Sequence, residues 1–401
     1  MTAVFFNPLQ DGYTDDPWSH FAEMREAEPV HALLTGGYAL FRYDDVFALL
    51  RDPEMSVDDR NANFDDMDRA ALVEEFSEFN EFESILGMDP PDHTRLRRLV
   101  SKAFTPRTIE ALRPRIEEMV DGMLDTMEEA GTADVVGELA FPLPFDVISE
   151  MLGLPEADKD QIRDWSGAIV KTLDPIITED EMREAGEANR NLEGYLETVI
   201  DWKRANPADD ILTAMIDAEE SGDRMTPKEL RDQVNLLFVA GHETTVNLIG
   251  TGIKELLAHP DQADLWRNDP SLDANAVDEM LRWVSPVQFS RRITLKDTEI
   301  DGVTVPAKSF VQTSLASANH DPAKFGPTAE QLDLSRPDAG QHVSFGSGIH
   351  YCLGASLAKL EGQVAIGRFL RRFPNAEPSG EPVWNGRINL RGLDRFLVRV
   401  Q

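Results

Sequence analysis

Apolar residues recur at helical spacing from Thr94 to about Leu281, while strict alternation is confined to two patches of the chain. In the first, "VHALLTGGYALFRY" alternates on either side of Gly36-Gly37 and predicts a β-hairpin, and "DDVFALLRD" follows as a short amphipathic helix. In the second, "RRITLKDTEIDGVTVPAKSFVQTSL" predicts strands with a turn at Asp301-Gly302. The expected fold is mainly α with a smaller β portion, its β-rich parts at about 30–43 and 291–315 and the remainder helical. No repeat of 20 to 50 residues and no low-complexity linker divides the chain, so residues 1–401 are expected to form a single domain.

One helix dominates the pattern. "TPKELRDQVNLLFVAGHETTVNLIGTGIKELLAHP" offers Thr226 as N-cap, Pro227 at the first helical position and Glu229 three residues after the cap. It should end at His259-Pro260, after about 32 residues or roughly 48 Å. Val234 to Ile249 is apolar nearly all round, so the helix should run through the core. Within that stretch stand Gly241, His242, Glu243, Thr244 and Thr245, and a buried unpaired carboxylate is costly. "HETTV" is no zinc HExxH motif, because Val246 occupies the second histidine position. Two readings stay open: threonines bonding back to carbonyls one turn earlier with Glu243 reaching solvent, or a turn opened at Gly241 that sets an acid and an alcohol beside a bound reactant.

Charge changes the picture next. The chain carries 39 basic and 73 acidic residues, a net of −34, which opposes nucleic acid and anionic membrane surfaces. Hydrophobic residues make up 41%, enough for a substantial core. No apolar run reaches the ~18 residues needed to span a bilayer, and "MTAVFFNPLQDGYTDD" lacks the basic flank and apolar stretch of a signal peptide. A cytoplasmic protein with neither nucleic-acid nor membrane partners is expected. Residues 58–83 are strongly acidic but interleaved with Phe64, Phe76, Phe79 and Phe82, so this segment should also cover something apolar.

The single cysteine lies in "FGSGIHYCLG", residues 345–354. A lone cysteine excludes an internal disulfide and a four-cysteine zinc site. Helical spacing begins at Leu353, so Cys352 sits at a helix N-terminus, where free N–H groups and the dipole favour a thiolate. Gly346 and Gly348 permit positive φ, and Gly354 offers no Cβ to obstruct a flat group. A haem axial ligand suits this setting. So do a buried free cysteine and a cysteine nucleophile with His350 as its base.

"FGSGIHYCLG" resembles the haem-binding loop of the cytochromes P-450, matching Phe-Gly-x-Gly-x-His-x-Cys-x-Gly in full. "AGHETT" resembles the oxygen-activating segment of that family, Glu279 to Arg282 its Glu-x-x-Arg pair, and "ANHDPAKFG" with Arg336 the segment before the cysteine loop. The likeness spans about Trp18 to the end and is of the soluble bacterial type. It implies a cytochrome P-450 fold with haem b between the long helix and the cysteine helix. The implied activity is a monooxygenase inserting one atom of O2 by hydroxylation or epoxidation, with Cys352 the metal ligand.

The resemblance assigns His93, Arg97, Arg292 and His350 to the haem propionates, Phe345, Gly346 and Gly354 to the cysteine loop, and Ala240 and Gly241 to the space above the metal. Glu243 and Thr244 match the acid–alcohol pair that delivers protons, with Glu in place of the frequent Asp. Glu279, Arg282 and Arg336 match a buried ion-pair cluster of structural role, and Arg95 and Arg98 are read as surface. The substrate pocket would draw on Phe82, Leu86, the Trp165–Thr172 stretch, Leu236, Val239, Val287, Phe289 and Leu393, which suggests a lipophilic terpenoid, steroid, fatty acid or polyketide. Retention of the acid–alcohol pair argues against a peroxide-driven peroxygenase, and a haem sensor or carrier without turnover would not require it. Arg95 to Arg115 holds seven basic residues against Glu110 alone, and Arg368, Arg371 and Arg372 follow the cysteine. This basic island on an acidic body is expected to dock an acidic ferredoxin.

Overall fold

The computed structural model describes residues 5–10, 12–34, 36–63, 83–155, 159–174, 177–220 and 225–400. The acidic segment with Phe64, Phe76, Phe79 and the expected pocket residue Phe82 lies outside them. The fold is mainly α with a smaller β part. Along the chain run α1 (Trp18–Ala27), β1 (Val30–Ala32), β2 (Tyr38–Leu40), α2 (Tyr43–Arg51), β3 (Met55–Ser56), α3 (Asp92–Val100), α4 (Pro106–Glu110), α5 (Arg113–Ala130) and β4 (Thr132–Asp134). There follow α6 (Pro142–Leu152), α7 (Lys159–Val170), α8 (Glu179–Ala205), α9 (Ile211–Glu220), α10 (Pro227–Ala258), α11 (Pro260–Asn268) and α12 (Asp273–Val284). The last part holds β5 (Phe289–Thr294), β6 (Thr298–Ile300), β7 (Val303–Val305), β8 (Phe310–Ser314), α13 (Leu315–Asn319), α14 (Pro322–Phe325), α15 (Ala355–Arg372), β9 (Glu377–Pro378), β10 (Val383–Trp384), β11 (Leu393–Arg395) and β12 (Leu397–Arg399).

Both expected β patches contribute to one sheet of order β1-β2-β8-β5-β3, in which β2 and β8 run parallel and the other pairs antiparallel, while β6 and β7 pair as a separate hairpin. Gly37 at φ +82° closes the first hairpin, and a Cβ there would lie 2.4 Å from the Phe310 carbonyl oxygen. Asp301 and Gly302 both take positive φ, which turns β6 into β7. The strands outside the expected patches, β3 of the main sheet, β4-β12-β9 and β10-β11, are two or three residues long, too short for alternation to show.

Helix α10 runs from Pro227 to Ala258, as its caps dictate: Thr226 accepts from the Glu229 N–H while the Glu229 carboxylate accepts from the Thr226 N–H. It lies in the core, packed against α6, α8, α12 and α15, and its Leu248 meets Gly362 of α15. No helix among the described residues is long and apolar enough to cross a membrane.

Candidate active site

Two elements carry the expected chemistry. Cys352 precedes α15, and Glu243 and Thr244 sit mid-way along α10. The loop before Cys352 is folded by its glycines, Gly346 at φ +67° and Gly348 at φ +73°. A Cβ at Gly348 would meet the Leu50 carbonyl oxygen at 2.6 Å, so this loop can rest on the end of α2 only as glycine. The Cys352 N–H donates to the Phe345 carbonyl at 2.9 Å. Burial pushes the Cys352 thiol pKa up, while the N–H groups of Gly354 and Ala355 and the Arg97 charge pull it down. The side chain is nonetheless accessible. A Cβ on Gly354 would meet no protein atom within 4 Å, so that flank of the sulfur is open.

Around this loop converge the four groups assigned to the propionates. The His93 and His350 rings lie 4.2 Å apart, and Arg97 donates to the Tyr351 carbonyl. Arg292, 5% exposed, donates to the Arg291 carbonyl at 2.7 Å and Ser290 Oγ at 3.3 Å. Both His93 nitrogens are buried without a hydrogen-bond partner. Burial, with the charges of His93, Arg292 and Arg97, pulls His350 down to about 3, and burial brings Arg292 down to about 10. Among the described residues no carboxylate forms an ion pair with any of the four. Cationic and imidazole groups that repel one another and leave donors unused fit a dianionic group, such as the paired carboxylates of a haem.

Across α10 the acid and the alcohol behave differently. Helix α10 is unbroken at Gly241, against the expectation of an opened turn; a Cβ there would lie 2.9 Å from Ile148, so the glycine admits α6 rather than a ligand. Ala240, one residue earlier, is exposed in the middle of this otherwise buried helix. Thr244 Oγ1 donates to the Ala240 carbonyl at a long 3.4 Å. Glu243 does not reach solvent. Its Oε1 accepts from Ser166 Oγ at 3.0 Å and its Oε2 from Arg387 Nη1 at 3.0 Å. Burial would raise its pKa, but His242 and Arg387 outweigh that and hold it at about 2.

The expected pocket set is only partly brought together. Val239 and Leu393 are buried and Leu236 and Val287 half-buried on the main core, whereas Leu86 is 58% exposed. Phe289 is not brought to that set. It sits in an aromatic cluster against Phe6 and Phe21, on the face of β5 opposite Arg292, because strand side chains alternate.

The basic island also shrinks. Arg95 pairs with Asp92 and Glu229, Arg113 with Glu110, Arg115 with Glu118 and Glu150, Arg368 with Glu117 and Asp121, Arg371 with Asp273, and Arg372 with Asp125 and Glu128. Among the described residues Arg98, Lys102 and Arg107 are exposed cations without an ion pair. Arg98 and Lys102 line an open groove of about 600 Å³ with His93, Arg97 and Ile349.

Reading by sequence alone passed over Arg387 and Asn247, whose partners lie more than a hundred residues away. Ser166 was inside an expected pocket stretch, but nothing local marked it as a partner of Glu243.

A family model described as Cytochrome P450 matches residues 38–269 and 270–389. The chain is 40% identical to Cytochrome P450 107B1 of Saccharopolyspora erythraea, covering 98% of this chain and 96% of that one. It is also 40% identical to Cytochrome P450 monooxygenase PikC of Streptomyces venezuelae, over 98% of this chain and 92% of the relative. The solved structure of the Bacillus subtilis bacillaene polyketide synthase cytochrome P450 PksS superposes with a TM-score of 0.87 at 36% identity, covering 99% of this chain and 100% of that one.

Proposed function

Since this chain belongs to the cytochrome P450 family and is a monooxygenase of that family, we propose that it inserts one atom of O2 into a lipophilic small molecule, using haem b held by Cys352 and electrons from an acidic ferredoxin-type donor in the cytoplasm. The observation that carries the reading is the convergence of His93, Arg97, Arg292 and His350, without carboxylate partners among the described residues, on the loop of the only cysteine. Bound haem supplies the reductive activation of dioxygen.

The chain supplies the rest. Cys352 offers its sulfur as thiolate, held by the Gly354 and Ala355 N–H groups and the Arg97 charge. His93, Arg97, Arg292 and His350 would hold the propionates of the haem, beside the flank that Gly354 leaves open. Ala240 faces the reacting side of α10, and the Thr244 hydroxyl holds a proton there, loosely bonded to the Ala240 carbonyl. Glu243, ionised while it pairs with Arg387, would pass on to that hydroxyl a proton taken up from solvent. Val239, Leu236, Val287 and Leu393 keep the substrate side apolar, which favours a lipophilic molecule over a charged one. The paired carboxylate and alcohol favour turnover with dioxygen over sensing or peroxide use.

The test is spectroscopic. The reduced protein with carbon monoxide should show the red-shifted Soret band of thiolate-ligated haem, and Cys352→Ala should lose it. A normal thiolate band in that variant would overturn the assignment, because no other cysteine exists to replace it.

A further inference from the structure

The loop between β10 and β11 leans on α10 one turn beyond Thr244. Asn247 Nδ2 donates to the Leu390 carbonyl at 3.3 Å, and a Cβ on Gly392 would lie 1.8 Å from Asn247 Oδ1, so only glycine fits there. Leu393 follows directly, buried and paired across the two strands with Trp384. The loop is closed on itself as well: the Asn385 N–H donates to the Gly392 carbonyl at 3.0 Å, and Asn385 Nδ2 to the Leu390 carbonyl at 2.9 Å. Leu393 is thus presented beside α10 by a loop that is held as one piece.

On its outer side the same loop is gripped by the N-terminal segment. Arg391 donates through Nε to the Thr14 carbonyl and through Nη2 to the Asp15 carbonyl, both at 2.7 Å. Its guanidinium carbon lies 4.0 Å from the centre of the Trp384 ring and 5.4 Å from that of Trp18. Trp18 stacks in turn on His320 at 4.2 Å, and that histidine is buried, so the segment is anchored to the core behind its contact with Arg391. Three residues before Arg391, Ile388 packs into the aromatic cluster of Phe6 and Tyr13.

The chemistry of this grip is unusual. Arg391 is buried, and among the described residues no carboxylate forms an ion pair with it. Burial brings its pKa down to about 10. A cation buried without a counter-charge is costly, and an apolar side chain would serve if filling space were all that the position required. What arginine adds is a planar fork of donors whose two faces can be covered by rings. Here the fork reads two successive backbone carbonyls of the N-terminal segment, while its faces meet one indole of that segment and one of β10. The contact fixes both distance and orientation. Trp384 therefore follows the N-terminal segment, and Leu393, its partner across the strands, follows Trp384.

We propose that Arg391 is a positioning residue through which the segment Tyr13–Trp18 sets the place of Leu393, so that the size of molecule accepted at the site is determined in part from outside the pocket. The N-terminal segment is then a specificity element of the enzyme, although it lies more than two hundred residues from α10 in the chain. The proposal rests on the haem-site reading, in which Leu393 borders the substrate, so its experiment includes a ligand that needs the haem alone.

Spectral titration of the haem-loaded full chain compares two azoles: imidazole, which binds the haem without reaching the pocket wall, and clotrimazole, whose bulky aryl groups press on it. Arg391→Met should weaken clotrimazole about tenfold and imidazole less than twofold, with the carbon monoxide band unmoved. Trp18→Leu leaves the guanidinium in place and should reproduce the selective loss; it decides the matter should Arg391→Met fail to load haem. Arg391→Lys should recover most of the affinity. Leu393→Ala should itself weaken clotrimazole, and adding Arg391→Met to it should cost less than about a further threefold, because both act on one wall. If clotrimazole binds Arg391→Met and Trp18→Leu as it binds the wild type, if the two azoles weaken together, or if the effects of Arg391→Met and Leu393→Ala multiply in full, the positioning role is overturned and the haem site stands. If the wild type binds neither azole and shows no thiolate band, the haem site fails and takes the proposal with it.

Discussion

Thr244 and Thr245 are adjacent alcohols on one helix with different partners. Thr244 Oγ1 makes only the long bond to Ala240, so its methyl replacement should change stability by no more than about 0.5 kcal/mol. Thr245 is 3% exposed, and its hydroxyl lies beside Glu361 of α15. That carboxyl is fully buried, is pushed well above the usual carboxylate range by burial, and finds no hydrogen bond of ordinary geometry. Thr244→Ala should therefore keep its melting temperature and divert electrons from product into hydrogen peroxide. Thr245→Ala should retain coupling and lose about 1–3 kcal/mol of stability. Calorimetry and peroxide titration separate the two, and the reverse assignment would show Thr244 to be a packing residue. In "AGHETT" the two threonines look alike, because what distinguishes them is the direction each faces on a helix buried on several sides. Cys352 was legible for the opposite reason: its glycines and its place at a helix start are local features.

The elements around the site are held by one ion cluster. Glu279 and Arg282 of α12 are fully buried, joined at 2.7 and 2.8 Å, and Arg336 reaches Glu279 at 3.2 Å. Arg282 also donates to the carbonyls of Asn319 and Ala329, each at 2.8 Å, tying α12 to α13 and to the irregular chain that leads to the cysteine loop. Removing one partner leaves an uncompensated buried charge, so Arg282→Ala should cost about 3–5 kcal/mol. Its carbon monoxide band should shift away from the thiolate position, and an unaltered band with unaltered stability would show the cluster to be dispensable. At this scale legibility followed capping. The ends of α10 could be placed because Thr226, Pro227, Glu229 and Pro260 act within one turn, whereas β4 and β12 take their structure from each other across some 260 residues of chain, and β9 joins them only through β12.

For the whole molecule the net charge of −34 sets the field, and the cations that survive pairing decide where a partner can approach. Counting charges along Arg95–Arg115 overstated the island, since Glu229 and Glu150, which neutralise Arg95 and Arg115, lie outside that window. Arg98, Lys102 and Arg107 remain, beside Ile349 and Tyr351, which are 53% and 43% exposed at the cysteine loop. Arg98→Glu or Lys102→Glu should slow reduction by an acidic ferredoxin about tenfold with little change in substrate affinity, and Arg113→Glu should slow it less. The wild-type rate should fall as salt shortens the screening length below about 8 Å. Stopped-flow rates indifferent to both salt and charge reversal would place the docking face elsewhere. The sheet has a consequence for how the chain is made. Strand β2 pairs in parallel with β8, Tyr38 with Val311, some 270 residues later in the chain. Synthesis proceeds at about 5–20 residues per second, so the N-terminal hairpin waits on the order of ten seconds or more for its neighbour. Throughout that interval Phe6, Phe21 and Phe41 lack Phe289 and Ala316 to cover them. Strand β2 is made well before the partner that completes its sheet, and in that interval its aromatic cluster is open to non-native contacts.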